Sequence, residues 1–247
     1  MRKFYTLYIT LLSGVIFAQQ SQLLYSSNGD LSDKTEVSNQ VDKPNYVIPN
    51  LIPKRVNGKL GFVDKKGKTI VKPQYDFGGF FYEDCNLLNS PNANVRKFGT
   101  SKYASVTLGE EDFRIDNLGK RVYKFKPEDL GTCSREYSPR SFYAYTYRGF
   151  YGLVNNRNFD TPNISSSFTI YPQYDYLFVM ESEDPENPMM IVSRHDKFGV
   201  VNKNNEIILP LEYDDIKRNF SWKIAHMFEV TKDGKNYFFV DSTNTAY

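Results

Sequence analysis

The sequence predicts an all-β protein, an array of about five three-stranded antiparallel meanders, β-solenoid-like or propeller-like. Three observations carry this. Aromatic residues make up 16% of the 247-residue chain, with 19 Tyr and 19 Phe, and such side chains favour the pleated, half-buried surface of strands. Turn material is plentiful, with 15 Gly and 12 Pro. An Asp or Asn closing a short apolar run returns at positions 64, 116, 155, 202 and 241, in steps of 52, 39, 47 and 39. Recurrence at such intervals marks a repeat architecture, in which each unit buries its apolar face only against its neighbours.

Ahead of the repeats the chain reads differently. Arg2 and Lys3 precede an apolar run of about 14 residues, Phe4 to Phe17, and then Ala18-Gln19. A charged start, a short apolar stretch and a small residue form a secretory signal peptide, here residues 1–18, with cleavage expected after Ala18. The run is too short to span a bilayer as a helix, which takes about 20 residues. No Cys follows it, so no lipoprotein anchor is expected. Residues 19–45 are polar and rich in Ser, Asn and Asp without sustained periodicity, the composition of a flexible linker. The expected destination is secreted or periplasmic, in a bacterial envelope, with no transmembrane segment in the mature chain.

The repeat domain spans 46–247. Its clearest unit runs Lys59-Leu60-Gly61-Phe62-Val63-Asp64, Lys65-Lys66-Gly67-Lys68, Thr69-Ile70-Val71 and Pro73-Gln74-Tyr75-Asp76. A second begins at Phe150 and ends in Pro172-Gln173-Tyr174-Asp175, with an insertion around 160–167. A third begins at Lys197 and ends in Pro210 and Tyr213-Asp214. Eroded copies centre on Asp116 and Asp241. In each, Gly-apolar-Val/Ile reads as a strand, and the Asp or Asn folds its side chain back on the following backbone as an Asx turn. Gly67 and Gly119, three residues later, suit the left-handed position of a hairpin with a G1 bulge. The Ile/Val run is the returning strand, which Pro73, Pro172 and Pro210 are expected to end, since proline donates no backbone hydrogen bond. A further strand precedes each anchor strand through a tight turn: Asn57-Gly58, Gly109-Glu110, Arg148-Gly149, His195-Asp196 and Asp233-Gly234. Helix signals are scarce, with one turn expected in 211–218.

Aromatic-Gly-apolar-Val/Ile-Asp/Asn, followed by Gly-Lys, an Ile/Val pair, Pro and Tyr-Asp, resembles the WG repeat of bacterial β-repeat proteins. The resemblance covers about 46–247. It departs where Leu60, Tyr151 and Phe198 replace the family's Trp before Gly. It implies a binding or scaffold module with no catalytic residue to carry over.

The residues themselves offer little chemistry. Nucleophile elbows, SxxK, HExxH, paired CxxC and glycine-rich phosphate loops are absent from the sequence. With only two His and two Cys, no metal site is expected. His195 reads as a surface turn residue and His226, near Trp222, as a packed strand-end residue. The acidic stretch 181–186 reads as a solvated loop between units. Lys+Arg total 31 and Asp+Glu 29, and residues 1–18 hold two of the cations and no acid, so the remainder balances at 29 each. A nucleic-acid partner, which needs a clustered basic surplus, is not expected. Neither is an outer-membrane barrel, given a mean hydropathy of −0.53 and a C-terminal stretch without lipid-facing alternation.

The expectation is therefore an exported protein that is not an enzyme, has no cofactor, and binds or scaffolds another protein. The alternative is a carbohydrate-binding module using a Tyr-rich face. Alternation in Phe142–Tyr147 places Tyr143, Tyr145 and Tyr147 together, either as a seam between units or as an exposed ligand surface. Tyr75, Tyr174 and Tyr213 read first as structural corners, whose following Asp caps a turn, and second as stacking platforms. Cys85 and Cys133 permit a disulfide in an oxidising compartment; two free buried thiols are the other reading.

Overall fold

The computed structural model describes residues 46–134, 140–159 and 165–247. The expected signal peptide, the linker and most of the 160–167 insertion lie outside the described residues. These described residues fall in one compact unit. The described chain forms five antiparallel sheets. Repeat 1 holds β1 (Leu51–Val56), β2 (Lys59–Asp64) and β3 (Thr69–Tyr75). Repeat 2 holds β4 (Phe77–Phe81), β5 (Ala104–Leu108), β6 (Glu111–Ile115) and β7 (Arg121–Lys124). Repeat 3 holds β8 (Phe142–Tyr147), β9 (Phe150–Asn155) and β10 (Phe168–Tyr174). Repeat 4 holds β11 (Tyr176–Val179), β12 (Met189–Arg194), β13 (Lys197–Asn202) and β14 (Ile207–Tyr213). Repeat 5 holds β15 (Asp215–Ile216), β16 (Met227–Thr231) and β17 (Tyr237–Asp241).

Local chemistry sets each meander. Asn57-Gly58, Arg148-Gly149 and His195-Asp196 have positive φ at both turn residues, the two-residue turn whose twist matches antiparallel strands. At His195 and Asp196 the angles are 52° and 59°, a region that costs a residue with a Cβ about 1–2 kcal/mol. Replacing the pair by Asn-Gly is expected to stabilise the fold by about 1 kcal/mol, read as a higher denaturation midpoint; an unchanged midpoint contradicts this.

The anchor residues share one environment. Asp64 Oδ1 accepts from the amides of Lys66 and Lys68, both at 2.9 Å. Asp116, Asn202 and Asp241 repeat the pair of bonds two and four residues on, and Asn155 makes the first, to Arg157. The left-handed residue three positions after the anchor is Gly67, Gly119, Asn205 and Asn244 in turn. The short asparagine side chain tolerates that conformation better than most.

The prolines do not end the returning strands. Pro73 and Pro172 lie inside β3 and β10, and Pro210 inside β14. Pairing runs from Phe62↔Val71 to Leu60↔Tyr75 with a register shift between them, so the returning strand bulges and then re-pairs. The bulge arches over the motif glycine. A Cβ on Gly61 would stand 2.4 Å from the Val71 carbonyl oxygen and 2.7 Å from the Pro73 nitrogen. Gly152 and Gly199 meet the same backbone at 2.5 and 2.7 Å. In repeat 2 the equivalent residue is Phe113, which pairs directly with Lys124: without the glycine there is no arch. The turn of helix expected in 211–218 is also absent; that stretch is the end of β14 and β15, and a short helix follows at Ser221–Ala225.

Repeats 1, 4 and 5 each bury both faces against neighbouring repeats. The face carrying Leu60, Phe62, Val71 and Tyr75 in repeat 1 packs on Ala104, Val106 and Ile115 of repeat 2. The same leading face of repeat 3 packs on Met190, Val192 and Val201 of repeat 4. That of repeat 4 packs on Phe228, Val230 and Val240 of repeat 5. Repeat 5 then presents Met227 and Phe239 to Ile52 and Val63, the trailing face of repeat 1. The spatial order is therefore 3-4-5-1-2, with the first and last repeats meeting inside the stack. Among the described residues, no apolar core lies at the junction of repeats 2 and 3.

Candidate functional site

The corner tyrosines are stack pins. Tyr75 Oη donates to the Gly119 carbonyl at 3.2 Å and Tyr174 Oη to Asn205 Oδ1 at 2.7 Å; Tyr213 Oη donates to Asn244 Oδ1. Each thus reaches the left-handed residue of the next repeat's anchor turn. The following Asp completes the joint. The amides of Asp76, Asp175 and Asp214 donate to Thr107, Ser193 and Thr231, and the chain continues as the outer strand β4, β11 or β15 of the next sheet. Asp76 and Asp175 also accept from the hairpin-turn amides of Gly109 and His195 at 2.8 Å. Asp76 pairs with Lys59 and Asp214 with Lys197 at 2.5 Å. The Lys59 ammonium, with the Gly109 amide, holds the Asp76 carboxyl below its ordinary range. These rings are structural, and Tyr75 and Tyr213 are fully buried.

Tyr143, Tyr145 and Tyr147 are placed differently. All three lie on the trailing face of repeat 3 and all are half-buried. The register makes Ile52, Ala104, Met190 and Phe228 the equivalents of Tyr143, and each of those is 0% exposed beneath a neighbouring repeat. Tyr143 instead meets Phe159 of its own repeat at 5.0 Å between centroids, and Tyr145 and Tyr147 lie near Phe168 at 6.1 and 6.2 Å. Phe159 is itself 42% exposed. Arg148 stands over the Tyr147 ring at 5.2 Å.

The other side of the seam is closed by polar chemistry. Arg114 occupies the leading-face position that Phe62 and Val200 hold elsewhere, yet is 2% exposed. Its guanidinium donates to the carbonyls of Phe98, Tyr82 and Thr100 and to Ser105 Oγ at 2.8–3.0 Å, and burial pulls its pKa below the usual range. The excursion 82–103 thus covers this face. Arg114→Met is expected to cost about 2–3 kcal/mol, because buried carbonyls lose their donor; hydrogen exchange should rise first in 82–103, and uniform protection would contradict the assignment.

Cys85 and Cys133 are disulfide-bonded with Cα atoms 5.6 Å apart. His195 sits in an exposed turn, and His226 ends the helix Ser221–Ala225 against Tyr46 and Trp222. The acidic loop ties inward: Glu186 accepts from Ser141 Oγ and Glu181 lies 3.7 Å from Lys223. Among the described residues no group of His, Cys, Asp and Glu is arranged to hold a metal, and no helix is long and apolar enough to cross a membrane.

Sequence reasoning missed two features. One is a cleft of about 730 Å³ between repeats 1 and 2, beside the anchor turns of Asp64 and Asp116, with the exposed Leu118 on its rim. The other is the unequal strand count of the sheets, signalled by the lack of a Tyr-Asp corner in repeat 2.

Residues 61–85 and 198–235 match the model of the WG containing repeat. These are WG repeats. Both matched segments begin at or beside the arched-over glycine and run through the Tyr-Asp corner into the next sheet, so the WG signature describes a unit together with its joint. No curated protein matches the chain. Among solved structures, one described as a crystal structure of the eukaryotic initiation factor is 12% identical over 80% of this chain and 51% of that one, with a TM-score of 0.28. The chain thus spans about half that protein's length.

Proposed function

We propose that this WG-repeat chain is an exported, non-enzymatic binding or scaffold module whose partner is another protein. One observation carries the reading: the trailing face of repeat 3 holds three half-buried tyrosines where the equivalent faces are sealed by a neighbour. Aromatic side chains with a polar tip are enriched at protein interfaces because they combine large apolar area with hydrogen-bonding capacity. The disulfide and the charged-then-apolar N-terminus support export.

The test is site-specific photo-crosslinking. With benzoylphenylalanine at Tyr143, Tyr145 or Tyr147, a discrete protein adduct is expected from an envelope fraction and none from a probe at the exposed Gly79. Absence of any adduct from all three positions removes the reading. The carbohydrate reading draws on the same rings. A saturable tyrosine fluorescence change with a glycan panel, alongside absent adducts, would put it in place of the protein partner.

A further inference from the structure

The sheets differ in one respect that points to how a partner is held. In repeats 2, 4 and 5 the first meander strand (β5, β12 or β16) is hydrogen-bonded on its outer side to a strand delivered by the preceding Tyr-Asp corner. The equivalent strands of repeats 1 and 3, β1 and β8, have no such neighbour among the described residues. An unpaired edge is a template for strand addition unless it is blocked.

β1 is blocked. Register places Pro53 of β1 level with Ala144 of β8 and with Ile191 and Glu229. The carbonyl of Glu229 accepts from the outer strand, as do those of Met189, Ser193, Thr231 and Thr107 around it. This position therefore turns its backbone polar groups outward, and proline there removes the donor. Lys54 and Arg55 follow Pro53 and add charge to the same edge. β8 reads Phe-Tyr-Ala-Tyr-Thr-Tyr, without proline or charge. By the same register Phe142, Ala144 and Thr146 point their amides and carbonyls outward.

We propose that the outer edge of β8 is a docking slot for an extended antiparallel segment of a partner protein, led by an aspartate and alternating apolar residues. This rests on the protein-binding reading above and names how that partner engages. The occupants of the filled slots define its chemistry. They begin Asp76-Phe77-Gly78, Asp175-Tyr176-Leu177 and Asp214-Asp215-Ile216, and Leu177, Val179 and Ile216 are buried. The leading aspartate donates its amide to the residue equivalent to Thr146. In repeats 2 and 4 its carboxylate also takes the turn amide, which in repeat 3 belongs to Arg148. Charge agrees: residues 140–174 hold Arg140, Arg148 and Arg157 against one acid, Asp160. Main-chain bonding along the edge supplies affinity, and the alternating side chains of the segment supply selectivity.

The probe is a labelled nine-residue peptide with the sequence of Pro172–Met180, titrated against the purified protein by fluorescence anisotropy. Saturable binding is expected, weakened about tenfold or more when the peptide aspartate is replaced by alanine or its amide is N-methylated. Ala144→Pro, which copies the residue β1 already carries, is expected to abolish binding while leaving the denaturation midpoint near that of the parent. No saturable binding, or equal binding by a folded Ala144→Pro variant, overturns the proposal. Should that variant not fold, equal affinity of the N-methylated and parent peptides overturns it instead. Self-association that Ala144→Pro removes would also overturn it, by making a second copy the occupant. Crosslinked adducts from the tyrosine face without peptide binding would leave the broader function standing and remove only the slot.

Discussion

A Gly61→Ala variant is expected to lose about 3 kcal/mol or more of folding stability. The added Cβ would stand 2.4 Å from a carbonyl oxygen and 2.7 Å from the Pro73 nitrogen, and neither is the movable end of a side chain. Relief requires flattening the arch of β3. That shifts Tyr75 out of its pairing with Leu60 and removes its Oη from Gly119, so the joint between repeats 1 and 2 fails with it. Gly79→Ala is the control: a Cβ there meets nothing within 4 Å, and its expected change lies within about 0.5 kcal/mol. Equilibrium urea unfolding of both variants decides the matter. Equal midpoints would mean that the arch is not what the repeat's glycine serves.

Replacing both Cys85 and Cys133 by Ser is expected to lower stability by up to about 4 kcal/mol, because the bond closes a loop of 48 residues' separation. The loop has a definite job. It fastens the helix Cys85–Leu88 to the segment around Gly131, whose amide donates to the Asn86 carbonyl at 2.8 Å, while Asn89 Nδ2 reaches the Thr132 carbonyl at 3.0 Å. These contacts hold down the excursion covering Arg114. The same loss is expected when the parent protein is unfolded in reductant, with the variant insensitive to it. A parent midpoint that reductant does not move would contradict the assignment.

Gly61 is legible in the sequence as part of a motif, and so is the strand that carries it. The reason for the glycine is not, since the contact is with a backbone segment about ten residues on whose bulge no local rule announces. For the same reason the prolines look like strand ends in the sequence alone. Their missing donor is real, but the bulge accommodates it within the strand. The corner tyrosines are legible as structural, whereas the pinning of the next repeat's anchor turn by each depends on the stack. Alternation alone puts Tyr143, Tyr145 and Tyr147 on a common face, but it does not distinguish a seam from an open surface.

The amino-acid order by itself determined the five meanders, their anchor turns and their hairpins. Those depend on φ preferences, Asx bonding and period-two burial within a few tens of residues. Only the tertiary structure decided that repeat 5 packs on repeat 1, that the seam falls between repeats 2 and 3, and that β8 has no outer neighbour among the described residues. Those outcomes depend on which faces meet across the stack. Dispersion and burial between sheets are non-directional, so no stretch of sequence carries a local mark of the partner it covers.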